Sequence, residues 1–231
     1  MEYIFQAITG AFKLIFSLDR EIFTIVWLSL RVALSATLIA GVFGIPLAYT
    51  VATREFRGKG TLITVFNTLM ALPTVVVGLF CYSFLSRKGP LGFLDLLFTP
   101  SGIILGDVIL AFPLIVGLTI AAVHSVDHRA RVTAMSLGAS PRQISLTILK
   151  EARFGLMAAL FNGFGRVVAE VGSAMMLGGN IRGFTRTITT AIALETSKGE
   201  FAFGMALGII LLTLALTVNL IFRRLQTTRN P

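Results

Sequence analysis

The stretch Ser125–Arg153, SVDHRARVTAMSLGASPRQISLTILKEAR, is a polar, basic interruption between two long apolar runs. Its local chemistry spells helix, sharp turn, helix. Val126 to Leu137 can form a short helix that stops at Gly138, a residue able to take the left-handed conformation at a helix C-terminus. Ser140 then supplies an N-cap oxygen, Pro141 suits the first helical position, and Gln143 completes a capping-box pattern. Ile144, Ile148 and Leu149 can face a helix bundle while Arg142 and Lys150 face water. Set between two apolar runs, such an element either offers a docking surface to a soluble partner or is an ordinary hairpin. A DNA-reading helix-turn-helix shares the outline, but tethering at both ends to membrane segments argues against nucleic acid.

The rest of the chain defines what surrounds this segment. Of 231 residues, 55% are hydrophobic and only 13% charged, with a mean hydropathy of +0.86. Soluble domains carry about 25% charged residues, so the composition indicates an all-α polytopic membrane protein. Five segments reach the roughly 20 apolar residues that a spanning helix needs: about Ile22–Ala52, Thr61–Leu85, Ser101–His124, Phe154–Leu177 and Phe201–Phe222. They leave too little polar sequence for a further soluble domain, so residues 1–231 read as one transmembrane domain. The net charge of +9 falls mainly at the ends of the apolar segments. Eleven Lys/Arg lie in the connections near Arg54–Gly60 and Ser125–Arg153 and in the tail from Arg223, against seven in the opposite set. The positive-inside rule puts the first set in the cytoplasm, with the amino end outside and the carboxyl end inside.

The first 20 residues carry no basic n-region or small-residue cleavage site. Ile4, Phe5, Ile8, Phe12, Ile15 and Phe16 recur at helical spacing, which suits a helix lying in the membrane interface or packed on the flank of the bundle. Pro46, Pro73 and Pro113 each fall inside a span. Kinked helices of this kind can line a pathway, although proline is common in membrane helices generally.

The run Val132-Thr133-Ala134-Met135-Ser136-Leu137-Gly138-Ala139-Ser140 resembles the EAA loop of ABC-importer permeases. Gly44-Ile45-Pro46-Leu47-Ala48-Tyr49 and Leu72-Pro73-Thr74-Val75-Val76-Val77-Gly78 are similar to that family as well, so the resemblance covers about Ile22 to Phe222. Val132-Thr133 replace the usual Glu-Ala, and Lys150-Glu151 stand where Leu-Pro is expected. Among oxyanion permeases the chain is most similar to the tungstate branch, through Ala71–Gly78, Leu149–Ala152 and Glu170–Ile181, with molybdate and sulfate permeases next. The resemblance implies a type I ABC-importer permease fold. It implies that 125–153 is a coupling loop docking on an ATPase subunit, with Ala134, Leu137, Gly138, Ala139, Ser140, Pro141 and Arg142 at the contact. It also implies a substrate-binding protein outside, and a chain that is not itself an enzyme. Five spans cannot easily enclose an alternating-access path, so a homodimer with two ATPase copies is expected.

Inside the spans, Arg166 and Glu170 lie four apart, a spacing that puts them on one helical face where they can neutralise each other. They read either as a structural ion pair or as part of a gate. Pro73, Ser173 and Asn180 complete the candidates for a translocation path or gate. Gly178, Gly179, Asn180, Arg182, Thr185, Arg186 and Thr187 form a donor-rich outward stretch, suited to an oxyanion or to a turn touching the binding protein. Asp107 lies nearer the outer end of its span, and snorkelling explains Arg31 as well as function does. His124 and His128 share a face without carboxylate or Cys support, and Cys81 is alone in an apolar run, so no metal site is expected. There is no GxxxxGK[ST], HExxH, dinucleotide fingerprint or nucleophile elbow. The chain therefore cannot bind ATP by a P-loop of its own, and the resemblance implies that it carries no cofactor, with ATP and Mg on the partner ATPase. The alternative is an ATP-independent secondary transporter or channel, which usually shows more spans or inverted halves.

Overall fold

In a computed structural model, residues 2–17 and 19–227 are described, with side chains from residue 8 to 224 apart from that of Leu18. Among them the chain is helical, with no strand. Helix α1 spans Glu2–Phe16 and α2 spans Arg20–Thr53. At 1.5 Å per residue, the 34 residues of α2 reach about 51 Å, well beyond a hydrocarbon core of roughly 30 Å. Asp19 starts α2 by accepting hydrogen bonds from the amides of Glu21 and Ile22. The helix runs on through Pro46.

The buried face of α2 is lined with small residues: Ala33, Ala36, Ala40, Gly41, Gly44 and Ala48. Without a hydrophobic driving force between helices in lipid, such residues gain contact by letting backbones approach. A Cβ on Gly41 would lie 2.7 Å from Leu160 Cδ2, and one on Gly44 would touch Val116, Ile115 and Phe112. The partners are α5 (Pro100–His124), the central helix, which continues through Pro113, and α8 (Arg153–Val168). Of the three intramembrane prolines, only Pro73 sits at a sharp break.

That break divides the second expected span. Helix α3 (Lys59–Met70) and α4 (Thr74–Leu85) meet at 99° across Ala71-Leu72-Pro73. Pro73 has no amide to extend α3 and disfavours helical backbone at Leu72, so the chain restarts with Pro73 as the N-cap of α4. The fourth expected span is divided too. Helix α8 ends at Val168, and α9 (Gly172–Gly178) leaves it at 61°. Among the described residues three helices are long and apolar enough to cross a bilayer alone, and counting each bent pair as one span gives up to five.

The two short half-helices pack on each other through glycines. A Cβ on Gly78 would lie 2.9 Å from the Cα of Ser173, and one on Gly172 would lie 2.9 Å from Val75 Cγ2. Past α9, a loop leads to α10 (Ile188–Ser197), an unexpected helix within the connection 178–200, and then to α11 (Phe201–Thr227). Helix α1 packs across α11, with Ala11 fully buried and Gly10 facing Ala202. It thus lies on the bundle's flank, with Phe12 and Phe16 exposed. The side chains of Ile4 and Phe5 lie outside the described residues.

Candidate functional site: an exposed helical turn below two broken spans

The interruption folds as its sequence chemistry requires. Helix α6 (His128–Ser136) is capped by Asp127 and followed by α7 (Pro141–Glu151). Gly138 takes φ +76°, its amide bonds to Met135 O, and the Ala139 amide reaches back to Ala134 O. These two bonds form a Schellman stop. Ser140 and Gln143 close the capping box in both directions: Ser140 N donates to Gln143 Oε1 at 2.7 Å and Gln143 N to Ser140 Oγ at 3.4 Å. Ile148 is buried with Ile144 against Val51, Val116 and Val123, while Arg142 and Lys150 are exposed.

Helix α6 buries no residue at all. Leu137 is 82% exposed, Met135 58% and Val132 47%. With Ala134, Ala139, Ser140 and Pro141 they make an apolar tip backed by a rigid turn. The tip is anchored behind: Tyr49 Oη on α2 donates to Ser145 Oγ on α7 at 2.9 Å. His124 and His128 line a cavity of about 270 Å³ beside it with Glu55, Asp127 and Arg131. The Lys59 ammonium, hydrogen-bonded to Glu55, holds that carboxyl below its ordinary range.

Within the bundle the candidate residues separate into two groups. Glu170, Ser173 and Asn180 come together around α9. Glu170 lies in the α8–α9 break, 4% exposed, and its Oε1 accepts from Ser173 N at 2.9 Å, so it caps α9. Thr189 Oγ1 of α10 donates to Glu170 O, and Asn180 Nδ2 donates to Thr190 O at 3.2 Å. Adjacent threonines of α10 therefore hold both ends of the α9 segment. Ser173 is fully buried with its hydroxyl unpartnered, and Asn180 adopts φ +50°. Pro73 borders this region, since Gly172 approaches Thr74 and Val75 just beyond it.

Arg166 is not brought in. The expected four-residue neutralisation fails because the helix ends at Val168, which turns Glu170 off the face that carries Arg166. Among the described residues no ion pair joins them. Glu170 instead shares a cavity of about 10 Å³, with room for one water, with Asp107, Ser29, Thr187 and Thr189. Asp107 is 2% exposed and its Oδ1 has no partner.

The donor-rich stretch 178–187 is organised by acids that the sequence did not single out. Arg182 Nε donates to Glu21 Oε1 at 2.8 Å, and Arg186 Nη1 lies 3.3 Å from Glu21 Oε1 and 3.4 Å from Glu195 Oε1. The Glu21 carboxylate raises the Arg182 guanidinium further above its ordinary value. Both arginines are thus already paired with carboxylates. The signal for α10 was the Thr187-x-x-Thr190 spacing, which here forms a capping box. Among the described residues, no group of three His, Cys, Asp or Glu side chains is placed to hold a metal ion.

Up to five crossings, two of them broken, together with an exposed helix–turn–helix define a polytopic helical membrane protein. Residues 41–229 match the family described as binding-protein-dependent transport system inner membrane component, and the chain belongs to that family. It is accordingly a multi-pass inner-membrane protein. It is 43% identical over 203 residues to a probable anion ABC transporter permease protein of Haloferax volcanii, covering 86% of this chain and 88% of the relative. It is 38% identical to the tungstate uptake system permease protein TupB of Peptoclostridium acidaminophilum, over 98% of this chain and 99% of the relative. TupB of Campylobacter jejuni is also 38% identical, over 99% and 95%. Among solved structures, a chain of the MetNI methionine ABC transporter superposes with a TM-score of 0.71 at 16% identity, covering 93% of this chain and all of that one. A chain of a bacterial alginate ABC transporter does so with 0.72 at 18%, covering 94% and 82%. These establish the type I ABC-importer permease fold.

Proposed function

We propose that this chain is the permease subunit of an ATP-driven importer that moves tungstate delivered by an extracytoplasmic binding protein. The observation that carries the reading is the exposed apolar turn at Gly138, rigid on one side and unpartnered on the other, in a chain without a P-loop. Ala134, Leu137, Gly138, Ala139, Ser140, Pro141 and Arg142 form the face that docks on the ATPase. ATP and Mg bind there, on the partner, and the permease itself is not catalytic. Two copies pair about an axis along the path, each with one ATPase subunit, in the lipid bilayer. The amino end is outside and the carboxyl end cytoplasmic.

Closure of the two ATPases draws the two 125–153 segments together and reorients the path. Pro73, Glu170, Ser173 and Asn180 lie where the two broken spans meet, the part of the bundle best built to rearrange. Arg166, half-buried on α8, is the one cationic gate candidate. A carboxylate is an unsuitable direct ligand for an oxyanion because like charges repel, so Glu170 organises α9 rather than touching cargo.

The cargo assignment is supported by near-full-length similarity to two tungstate permeases, against 32% for a molybdenum permease and 29% for a sulfate one. The test is reconstitution with the cognate ATPase and binding protein in proteoliposomes. ATP hydrolysis and uptake should rise with tungstate-loaded binding protein and not with the empty form. Uptake without ATP would establish the secondary-transporter reading instead, and stimulation by molybdate or sulfate but not tungstate would reassign the anion.

A further inference from the structure

Helix α2 is tied by polar contacts at its two ends, and at those ends to segments on opposite sides of the bundle. Near its C-terminus, Tyr49 Oη donates to Ser145 Oγ of α7, 96 positions away in sequence. Three residues on, the carbonyl of Ala52 is one of the last four of the helix, which have no intrahelical donor. It accepts instead from Lys59 Nζ at 3.2 Å and, in the tautomer protonated at Nε2, from His124 at 3.2 Å. At the other end, Glu21 in the first turn holds Arg182 and Arg186 of the loop after α9. About two turns further, Ser29 Oγ accepts from the Ile188 amide at 2.8 Å and so supplies the first turn of α10.

Between these ends α2 contributes alanines and glycines in close contact with α5 and α8. Small residues packed at this distance resist bending but offer no directional link to a neighbour. A single rigid helix with polar couplings confined to its ends carries displacement from one end to the other.

We infer that α2 is the strut through which movement of the 125–153 segment reaches the outward loop 179–187 and α10, with Tyr49 and Glu21 as its positioning residues. This rests on the permease reading above. When the ATPases draw α7 inward, the Tyr49–Ser145 bond obliges α2 to follow, while Lys59 and His124 on the Ala52 carbonyl hold that end of α2 against α3 and α5. Glu21 and Ser29 then carry the loop and α10, whose Thr189 and Thr190 hold both ends of α9. The same path run backward lets a loaded binding protein, pressing on the outer loop, signal to the ATPase. Reciprocity is required of any such coupling between binding equilibria.

The test uses the full transporter in proteoliposomes at saturating binding protein, with basal and stimulated hydrolysis measured separately. Tyr49→Phe removes one hydroxyl, and Glu21→Gln removes one charge. Each should leave basal hydrolysis within about two-fold of wild type while the ratio of stimulated to basal hydrolysis falls roughly five-fold, the scale of one net hydrogen bond. Ser145→Ala, which removes the same bond from its other side, should lower that ratio as Tyr49→Phe does. The double variant Tyr49→Phe/Glu21→Gln should be no worse than the worse single one, because both interrupt one path. Losses that multiply would mean two independent sites and overturn the strut. So would variants whose stimulation ratio stays at the wild-type value. Wild type unresponsive to loaded binding protein would refute the permease reading itself, a different failure.

Discussion

Gly138 occupies φ +76° with no atom placed to meet a Cβ within 4 Å, so a substitution there is opposed by backbone conformation alone. A β-branched residue in the left-handed region costs on the order of 1–3 kcal/mol, and that cost falls on the turn rather than on the bundle. Gly138→Val should therefore leave insertion and thermal stability of the spans near wild type while weakening ATPase binding by ten-fold or more. Gly138→Asn, which tolerates this conformation, should retain most of the affinity. Wild-type affinity in Gly138→Val, read by co-purification and titration of the ATPase, would remove Gly138 from the docking turn. This position was legible in the sequence because its cause is local: Gly138, Ser140, Pro141 and Gln143 specify stop and start without help from the fold. The Glu21 pairings were not legible, since the partners lie 161 and 165 positions away, and no local pattern records such a distance.

Helices were easier to locate than to connect. Hydropathy identified the five apolar segments, but it is blind to direction, and so it read 61–85 and 154–177 as continuous. The first break carried a signal in Pro73. The second has no proline; it is made by Glu170 turning back to cap Ser173 and by Gly172 admitting Val75 to close contact. Helix α10 hid in a threonine-rich connection whose burial comes from tertiary packing, with Thr185 and Thr190 fully enclosed. The α8–α9 break has a direct consequence for Arg166 and Glu170. An unbroken helix would let the exchange Arg166→Glu/Glu170→Arg restore what each single change loses. With the break in place the exchange should rescue neither transport nor stability, and Glu170→Arg should remain impaired whatever stands at 166, because α9 has lost its cap acceptor, a loss of about 1 kcal/mol before any effect of buried charge. Recovery of the double variant to wild-type uptake would show that the pair forms during the transport cycle.

At the scale of the molecule, two charged regions lie at opposite ends of a mostly apolar bundle, and their order across the membrane decides which partner meets which end. The basic connections beside α6 and α7 and the ion-paired loop around Glu21, Arg182 and Arg186 are joined by α2, whose length exceeds the hydrocarbon thickness. Positive charge is retained on the cytoplasmic side of short loops, and the eleven-to-seven partition of Lys and Arg favours α6 and α7 there. The chain contains one cysteine, Cys81, which is buried, so replacing it by serine gives a background for single introduced thiols. Leu137, 82% exposed at the proposed docking turn, and Phe184, 50% exposed on the opposite loop, are the natural reporters. In intact right-side-out vesicles a membrane-impermeant maleimide should label Phe184→Cys and spare Leu137→Cys, and inverted vesicles should reverse the pattern. Labelling of Leu137→Cys from outside would place the docking turn away from ATP, which no arrangement of ATPase subunits could then reach, and the importer reading would fall with the orientation.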